Sequence, residues 1–341
     1  MATTHKIASL EFARIIAMFA IIGLHCQMAL TYWHWNELPW VGYVINQSAR
    51  FAVPLFFLIS GYLIQPKLST TPFATLRSYA QPLMRIWLIW SAFSLLMPFN
   101  WSNVSKVGYF AERQAYWSKL ALSPINSLLE GGLVHLWFIP ALVIAVALIA
   151  FLVRVKLDAL ILPVALLLYF YGVLAGSYLT LTDLPSPFLT RNGPFFSTLL
   201  VALGYLARQA QWQWSRYTIL AVLFAGLSLH FAEAYSLMGY GIAFNSHDYL
   251  FGTAIWALGA FMWLLTHPNW GNMPWVYKWS SRILGLYVCH LLVIITLSNI
   301  VRFLNFQGFE RDIFLYPATL VVSSLLIIGI EKTPFKAWLL R

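Results

Sequence analysis

Charge is what this sequence has least of. Only 9% of its 341 residues are Asp, Glu, Lys or Arg, against about 25% in soluble domains, and so few charges cannot cover the water-facing surface of a globular chain. A water-soluble globular enzyme is excluded. Acidic residues are scarcer than basic ones, 11 against 21, for a net charge of +10. That balance would suggest nucleic acid only if the basic residues formed a dense run or an aromatic-interleaved patch, and here they are scattered between apolar spans. Cysteine is nearly absent: Cys26 and Cys289 are the two, both within predicted spans, which excludes a disulfide framework and a four-ligand zinc site. Glu11 and Arg14 interrupt the first apolar stretch and no small-residue cleavage site follows it, so it reads as a retained first helix.

What the chain has in abundance is apolar and aromatic side chains, 60% and 17% of its residues. A bilayer core of about 30 Å needs roughly 20 apolar residues per helix, and scanning at that length gives about ten spans. They are expected near residues 7–30, 41–64, 75–98, 133–153, 157–176, 193–209, 217–236, 248–267, 279–300 and 314–332. An even number puts both termini on one side. That side collects 14 basic residues, Lys6 and Arg341 among them, and the other collects 6, so the positive-inside bias makes both termini cytoplasmic. The expected fold class is therefore all-α: a polytopic integral membrane protein in one transmembrane domain, with no appended soluble domain. The longest connection, Asn100 to Gly132, carries Trp101, Tyr109, Tyr116 and Trp117, which predicts an interfacial helix. No fixed-period repeat or similarity between halves of the kind seen in many transporters is visible.

Ionisable groups inside spans are costly, by roughly 2.5–3.5 kcal/mol for a central Arg, Lys or Asp, and mark function by default. The first span holds three. Glu11 and Arg14 are i, i+3 neighbours able to pair. Arg14 and His25 are eleven residues apart, three turns with little angular offset and roughly 16 Å along the axis, so one helix face presents a cation and an imidazole. His25 suits a general base because its ordinary pKa is near neutrality; the alternative is a histidine hydrogen-bonded for packing. In the second span Arg50 is a further intramembrane cation and Pro54 breaks the hydrogen-bond ladder. Ser60-Gly61 either lines a cavity wall or packs helices closely. Arg77 and Arg85, near the start of the third span, either meet a phosphorylated ligand or anchor the helix by the positive-inside bias. His135 in VHLWFIPAL and His290 in SSRILGLYVCH could join His25 as a metal triad only if helices distant in sequence converge, and no i, i+3 or i, i+4 pair supports it. No metal site is expected.

These residues resemble the integral-membrane acyltransferase family 3. The first span, with Arg14, ten intervening residues and His25, is similar to the N-terminal signature of that family. PLFFLISGYLI from Pro54, preceded by Arg50, resembles the second, and HLWFI from His135 and SRILGLYVCH ending at His290 resemble later segments. The chain length is similar to the short branch that includes the enterobacterial common antigen O-acetyltransferase. The resemblance implies O-acyl transfer, usually of acetyl, from cytoplasmic acetyl-CoA to a hydroxyl of an envelope glycan or lipid-linked saccharide, in the bacterial inner membrane. It implies Arg14 and His25 as the catalytic pair, with Glu11 standing where many relatives have Asp. Arg85, and Arg77 beside it, match the basic region linked to CoA recognition, at a wider spacing than the compact arginine pair of many members. Arg50 and Ser60 are then expected on the donor side of the cavity. The rival reading from another class is a transporter or flippase for an anionic glycolipid, with Arg14, Arg50 and His25 as substrate and proton-relay groups. Acetyl-CoA-dependent label transfer separates the two.

Overall fold

Long apolar runs leave the backbone no partner but itself, and the outcome is helical throughout. The computed structural model describes residues 7–340; Lys6 and Arg341, two contributors to the charge asymmetry, lie outside the described residues. The helices in chain order are α1 (Ala8–His25), α2 (Trp40–Ser48), α3 (Ala52–Leu68), α4 (Pro72–Leu96), α5 (Trp101–Val107), α6 (Tyr109–Ala121), α7 (Pro124–Glu130), α8 (Phe138–Arg154) and α9 (Ile161–Leu174). They continue as α10 (Leu179–Thr182), α11 (Pro194–Gln209), α12 (Arg216–Met238), α13 (Phe251–Thr266), α14 (Pro274–Ser280), α15 (Ile283–Phe303), α16 (Gly308–Glu331) and α17 (Lys336–Leu339).

Six of these segments are long and apolar enough to cross a membrane, or seven when the bent pair of α4 and α5 is taken as one span. Each of the ten expected spans coincides with a helix, but three of those helices, α9, α11 and α13, have 14, 16 and 16 residues. At 1.5 Å per residue such a helix is about 24 Å long or less, short of a 30 Å core. Gly193-Pro194 fixes where α11 starts, since Pro belongs at the first helical position and not inside. The multi-pass character thus rests on six or seven helices.

The chain divides into two compact units. The first comprises residues up to Ile21, Gln47–Ser78 and Ala141–Ile283; the second comprises Ile22–Asn46, Tyr79–Pro140 and Leu284 onward. In the first unit α3 crosses α11 at the closest possible range. A Cβ on Gly61 would stand 2.0 Å from the Val201 carbonyl oxygen, and one on Gly204 would stand 2.0 Å from that of Leu58, so both helices need glycine where their backbones touch. Gly61 is therefore a packing glycine. Gly226 and Gly252 let α12 and α13 approach in the same way. Around these crossings the aromatic side chains stack, Phe196 on Tyr249 at 4.2 Å between ring centres, and the Tyr169 hydroxyl donates to the Leu250 carbonyl at 2.6 Å.

In the second unit, the long connection between Asn100 and Gly132 folds as three short helices, α5 to α7. Its anchor is a buried ion pair. Arg113 is fully buried, donates from Nε and Nη2 to the Glu112 carboxylate at 2.6 and 2.8 Å, and lies 4.3 Å from the Phe99 ring centre. Glu112 also accepts the backbone N–H groups of Phe99 and Asn100. The hydrogen bonds from Arg113 hold the Glu112 carboxyl below its usual range against the opposing effect of burial. Trp101 and Trp117 remain exposed, as side chains at a membrane interface would be.

Candidate active site

A polar site is built around the end of α1 in the second unit. His25 is the last helical residue and is half-buried. The segment after it turns sharply, with positive φ at Gln27, Ala29, Trp33, Asn36 and Glu37, a conformation that costs about 1–2 kcal/mol for each side-chain-bearing residue. Something must hold it, and α16 supplies that. Asp312, 2% exposed, accepts the Ala29 N–H at 2.6 Å and the Tyr32 hydroxyl at 2.9 Å. Arg311 donates to Asp312 at 2.6 Å and to the Cys26 carbonyl at 2.9 Å. Burial, together with the neighbouring Asp312 carboxylate, pushes the Tyr32 phenol up to about 12. The residue that follows His25 is thus clamped through its carbonyl.

Two further histidines meet His25. The His290 ring, on α15, is centred 5.1 Å from that of His25, and the His135 ring, in the turn before α8, is centred 5.0 Å from that of His290. Helices distant in sequence do converge here. His290 and His135 are buried, and Tyr287 ties them together. Its carbonyl pairs with His290 Nδ1 at 2.6 Å, and its hydroxyl donates to the His135 carbonyl. His135 Nε2 pairs with the Val288 carbonyl at 3.1 Å. A carbonyl only accepts, so each paired ring nitrogen carries its proton. His290 Nε2 and His135 Nδ1 are left as lone pairs without hydrogen-bond partners. Among the described residues no group of three or more His, Cys, Asp or Glu is arranged to hold a metal ion.

A second polar cluster lies in the first unit, where α3, α11 and α13 begin. Arg50 and Arg191 both donate to Asp248, at 2.9 and 2.6 Å, and Arg50 also reaches the Asn245 carbonyl at 3.2 Å. Burial would raise the Asp248 carboxyl, but Arg191 and Arg50 outweigh it and keep it below its ordinary value. The adjacent His247, 1% exposed, is pushed down to about 4 by burial and by Arg50. Nearby, His230 uses both ring nitrogens, on Thr253 Oγ1 and Gln47 Oε1, each at 2.9 Å. Glu233 accepts from the Gly252 and Phe251 N–H groups and from the Tyr178 hydroxyl.

The residues singled out from sequence divide between these settings. Glu11 and Arg14 pair at 3.2 Å in the first unit, and Glu11, buried, also accepts from Ser280 Oγ. Arg50 belongs to the cluster on Asp248, Ser60 is half-buried on α3, and Arg77 is exposed; all three are in the first unit. His25 and Arg85 are in the second. Arg85 donates to the Ala337 carbonyl at 2.7 Å and lies 5.3 Å from the Trp338 ring centre, so it holds α17 in place. Sequence reasoning passed over Arg191, Asp248 and Asp312. Arg191 and Asp248 stand in connections just before α11 and α13, Asp312 lies near the start of α16, and no spacing rule links them to Arg50 or to His25.

Comparison with known proteins now adds to this geometry. A family profile described as an acyltransferase domain, that of acyltransferase family 3, matches residues 7–329, and the chain belongs to that family. An amino-acid racemase of Enterococcus faecalis is 25% identical over 316 residues, covering 88% of this chain and 43% of the racemase. A serine/alanine racemase of Enterococcus gallinarum is 25% identical over 294 residues, covering 81% of this chain and 39% of that protein. The chain therefore spans about two fifths of the length of these curated relatives. No solved structure matches it.

Proposed function

We propose that this member of acyltransferase family 3 is a multi-pass O-acetyltransferase of a bacterial inner membrane, transferring acetyl from acetyl-CoA to a hydroxyl of an envelope polysaccharide or lipid-linked saccharide. The observation that carries this reading is His25. It ends α1 half-exposed, its following turn is clamped by Arg311 and Asp312, and buried imidazoles stand beside it. Acyl transfer to a sugar hydroxyl needs a base to take the hydroxyl proton and donors to stabilise the oxyanion on the thioester carbon. His25 is that base. It takes the proton as the oxygen attacks the acetyl carbon, the carbon–sulfur bond breaks, and the proton passes to the departing CoA thiolate. The family pattern gives Arg14 a catalytic role alongside it, with Glu11 as its partner. Arg85, Arg77 and Arg50 offer guanidinium groups of the kind that bind phosphate bidentately, and Ser60 a hydroxyl. The racemase names belong to proteins of which this chain matches only a part, and racemisation is not carried over to it.

The test is transfer of radiolabelled acetyl from acetyl-CoA to a glycolipid extract by the full chain in lipid nanodiscs. Label appearing in the extract, and lost in His25→Ala with protein still folded, supports the reading. Glycolipid moved across vesicles with no acetyl transfer would replace it with a transporter or flippase for an anionic glycolipid.

A further inference from the structure

The bare ring nitrogen of His290 has no use in packing. A buried acceptor without a partner is costly, and such groups in native structures commonly reserve a role for chemistry or a ligand. His290 is fully buried. Its Nδ1 proton is committed to the Tyr287 carbonyl at 2.6 Å, which leaves the Nε2 lone pair as the free end of a ring held in one tautomer. That ring is also held in place, because the Tyr287 hydroxyl fixes His135 and the His135 ring lies edge-on to His290 at 5.0 Å. The neighbouring imidazole is His25, half-buried at the last residue of its helix and 5.1 Å away between ring centres. Hydrogen bonds of this kind are often long in an unliganded enzyme and tighten in the reactive complex.

We propose that His290 is the positioning residue of the general base: its Nε2 accepts a hydrogen bond from His25 when His25 takes the acceptor proton. This rests on the reading of His25 as base. In the step itself, one nitrogen of His25 gains the hydroxyl proton while its other nitrogen keeps its own and donates it to His290 Nε2. No proton leaves for His290, and the gained proton ends on the CoA thiol. The acceptor gains acetyl and CoA leaves as free thiol. A carboxylate orients the imidazole in many hydrolases; here a tautomer-locked imidazole does so without bringing a buried negative charge. The other titratable groups at this end of α1 include Cys26, Tyr32, His135, Tyr287, Tyr316 and the Arg311–Asp312 pair, whose charges are matched to each other at 2.6 Å.

Two variants and one spectrum test this on the full chain in nanodiscs. His290→Gln places an amide oxygen near the position of Nε2, whereas His290→Phe keeps a ring and removes the acceptor. With radiolabelled acetyl-CoA and the glycolipid extract, the Phe variant is expected to lose roughly 10- to 100-fold in kcat, the worth of a hydrogen bond to a charged group, while the Gln variant stays within about threefold of the parent. KM for acetyl-CoA should move little in either, because the bond tightens only as charge develops on His25. Imidazole-nitrogen NMR of isotopically labelled protein should show His290 protonated on Nδ1. Wild-type kcat in the Phe variant, equal losses in both variants, or a proton found on Nε2 would overturn the proposal. If the parent transfers no acetyl at all, the enzyme reading fails by that result, and the spectrum still decides whether His290 presents its lone pair.

Discussion

The Arg50–Asp248–Arg191 cluster of the first unit and the histidine cluster of the second are both polar groups withdrawn from water, and they treat their hydrogen bonds differently. In the first, one carboxylate meets two guanidiniums, Glu233 collects three donors and His230 uses both ring nitrogens. Buried nitrogens without a hydrogen bond occur there too, the Nε2 atoms of Gln47 and His247 and the Nε atoms of Arg50 and Arg191, yet each guanidinium is bonded through its terminal nitrogens. In the second, His290 and His135 each spend one nitrogen and keep the other bare. Satisfied networks fix a fold, and buried acceptors left over beside a half-exposed imidazole are candidates for chemistry. On the proposed reading the histidines of the second unit carry the proton transfer, while Asp248 holds the two arginines of the first in place.

The strongest way to break that assignment is His25→Ala. Loss of a general base typically costs 10²–10⁴-fold in rate, and the melting temperature should stay near that of the parent because the ring is half-exposed. An equal loss from Arg50→Lys, with intact folding, would move chemistry into the arginine cluster and undo the contrast.

A pH titration of stability sharpens the other side. His247 is held down to about 4 in the folded protein against about 6.5 unfolded, so the folded state takes up its proton later than the unfolded one. Its contribution is fully present above pH 6.5 and declines as pH falls toward 4, by about 3 kcal/mol at about 1.4 kcal/mol per unit. His247→Asn should flatten the melting-temperature profile in that window. An unchanged slope would mean that His247 is not buried beside Arg50.

Asp248→Asn comes next. It leaves two arginines facing each other, a break that costs 3–5 kcal/mol when fully buried. The side chains here are 14%, 19% and 35% exposed, so the expected loss is about 1–3 kcal/mol after solvent screening. Thermal melting measures it, and acetyl transfer at permissive temperature should persist.

Much of this was legible beforehand for reasons that can be named. Apolar runs at bilayer length placed a helix at each expected span, because periodicity and hydropathy are local. Glu11 and Arg14 pair as their i, i+3 spacing requires. The histidine cluster was visible only as three separate histidines, since convergence of α1, α15 and the turn before α8 is a tertiary event with no local signal. The resemblance marked His25 and left the company of His290 unread. Asp248 escaped notice because it stands in a polar connection, and Asp312 because it lies near the start of α16, where acids are ordinary. Arg85 is the converse case: its type suits phosphate, and no sequence rule reveals that it also meets Ala337 and Trp338.

Arg85 therefore gives the smallest and most discriminating test. Its guanidinium holds the Ala337 carbonyl at 2.7 Å and lies over the Trp338 ring, while Trp90 Nε1 donates to the Leu339 carbonyl at 2.9 Å. These contacts dock α17, and an exposed cation–π contact is worth about 0.5–1 kcal/mol. Arg85→Ala should lower the melting temperature slightly and do so equally with and without acetyl-CoA if docking is all that Arg85 does. Loss of the acetyl-CoA-dependent stabilisation instead, at an unchanged apo melting temperature, would make Arg85 a donor-binding group, since a ligand stabilises only through the state that binds it. Arg85→Lys separates the two further, because lysine keeps the charge for a phosphate but loses the planar fork.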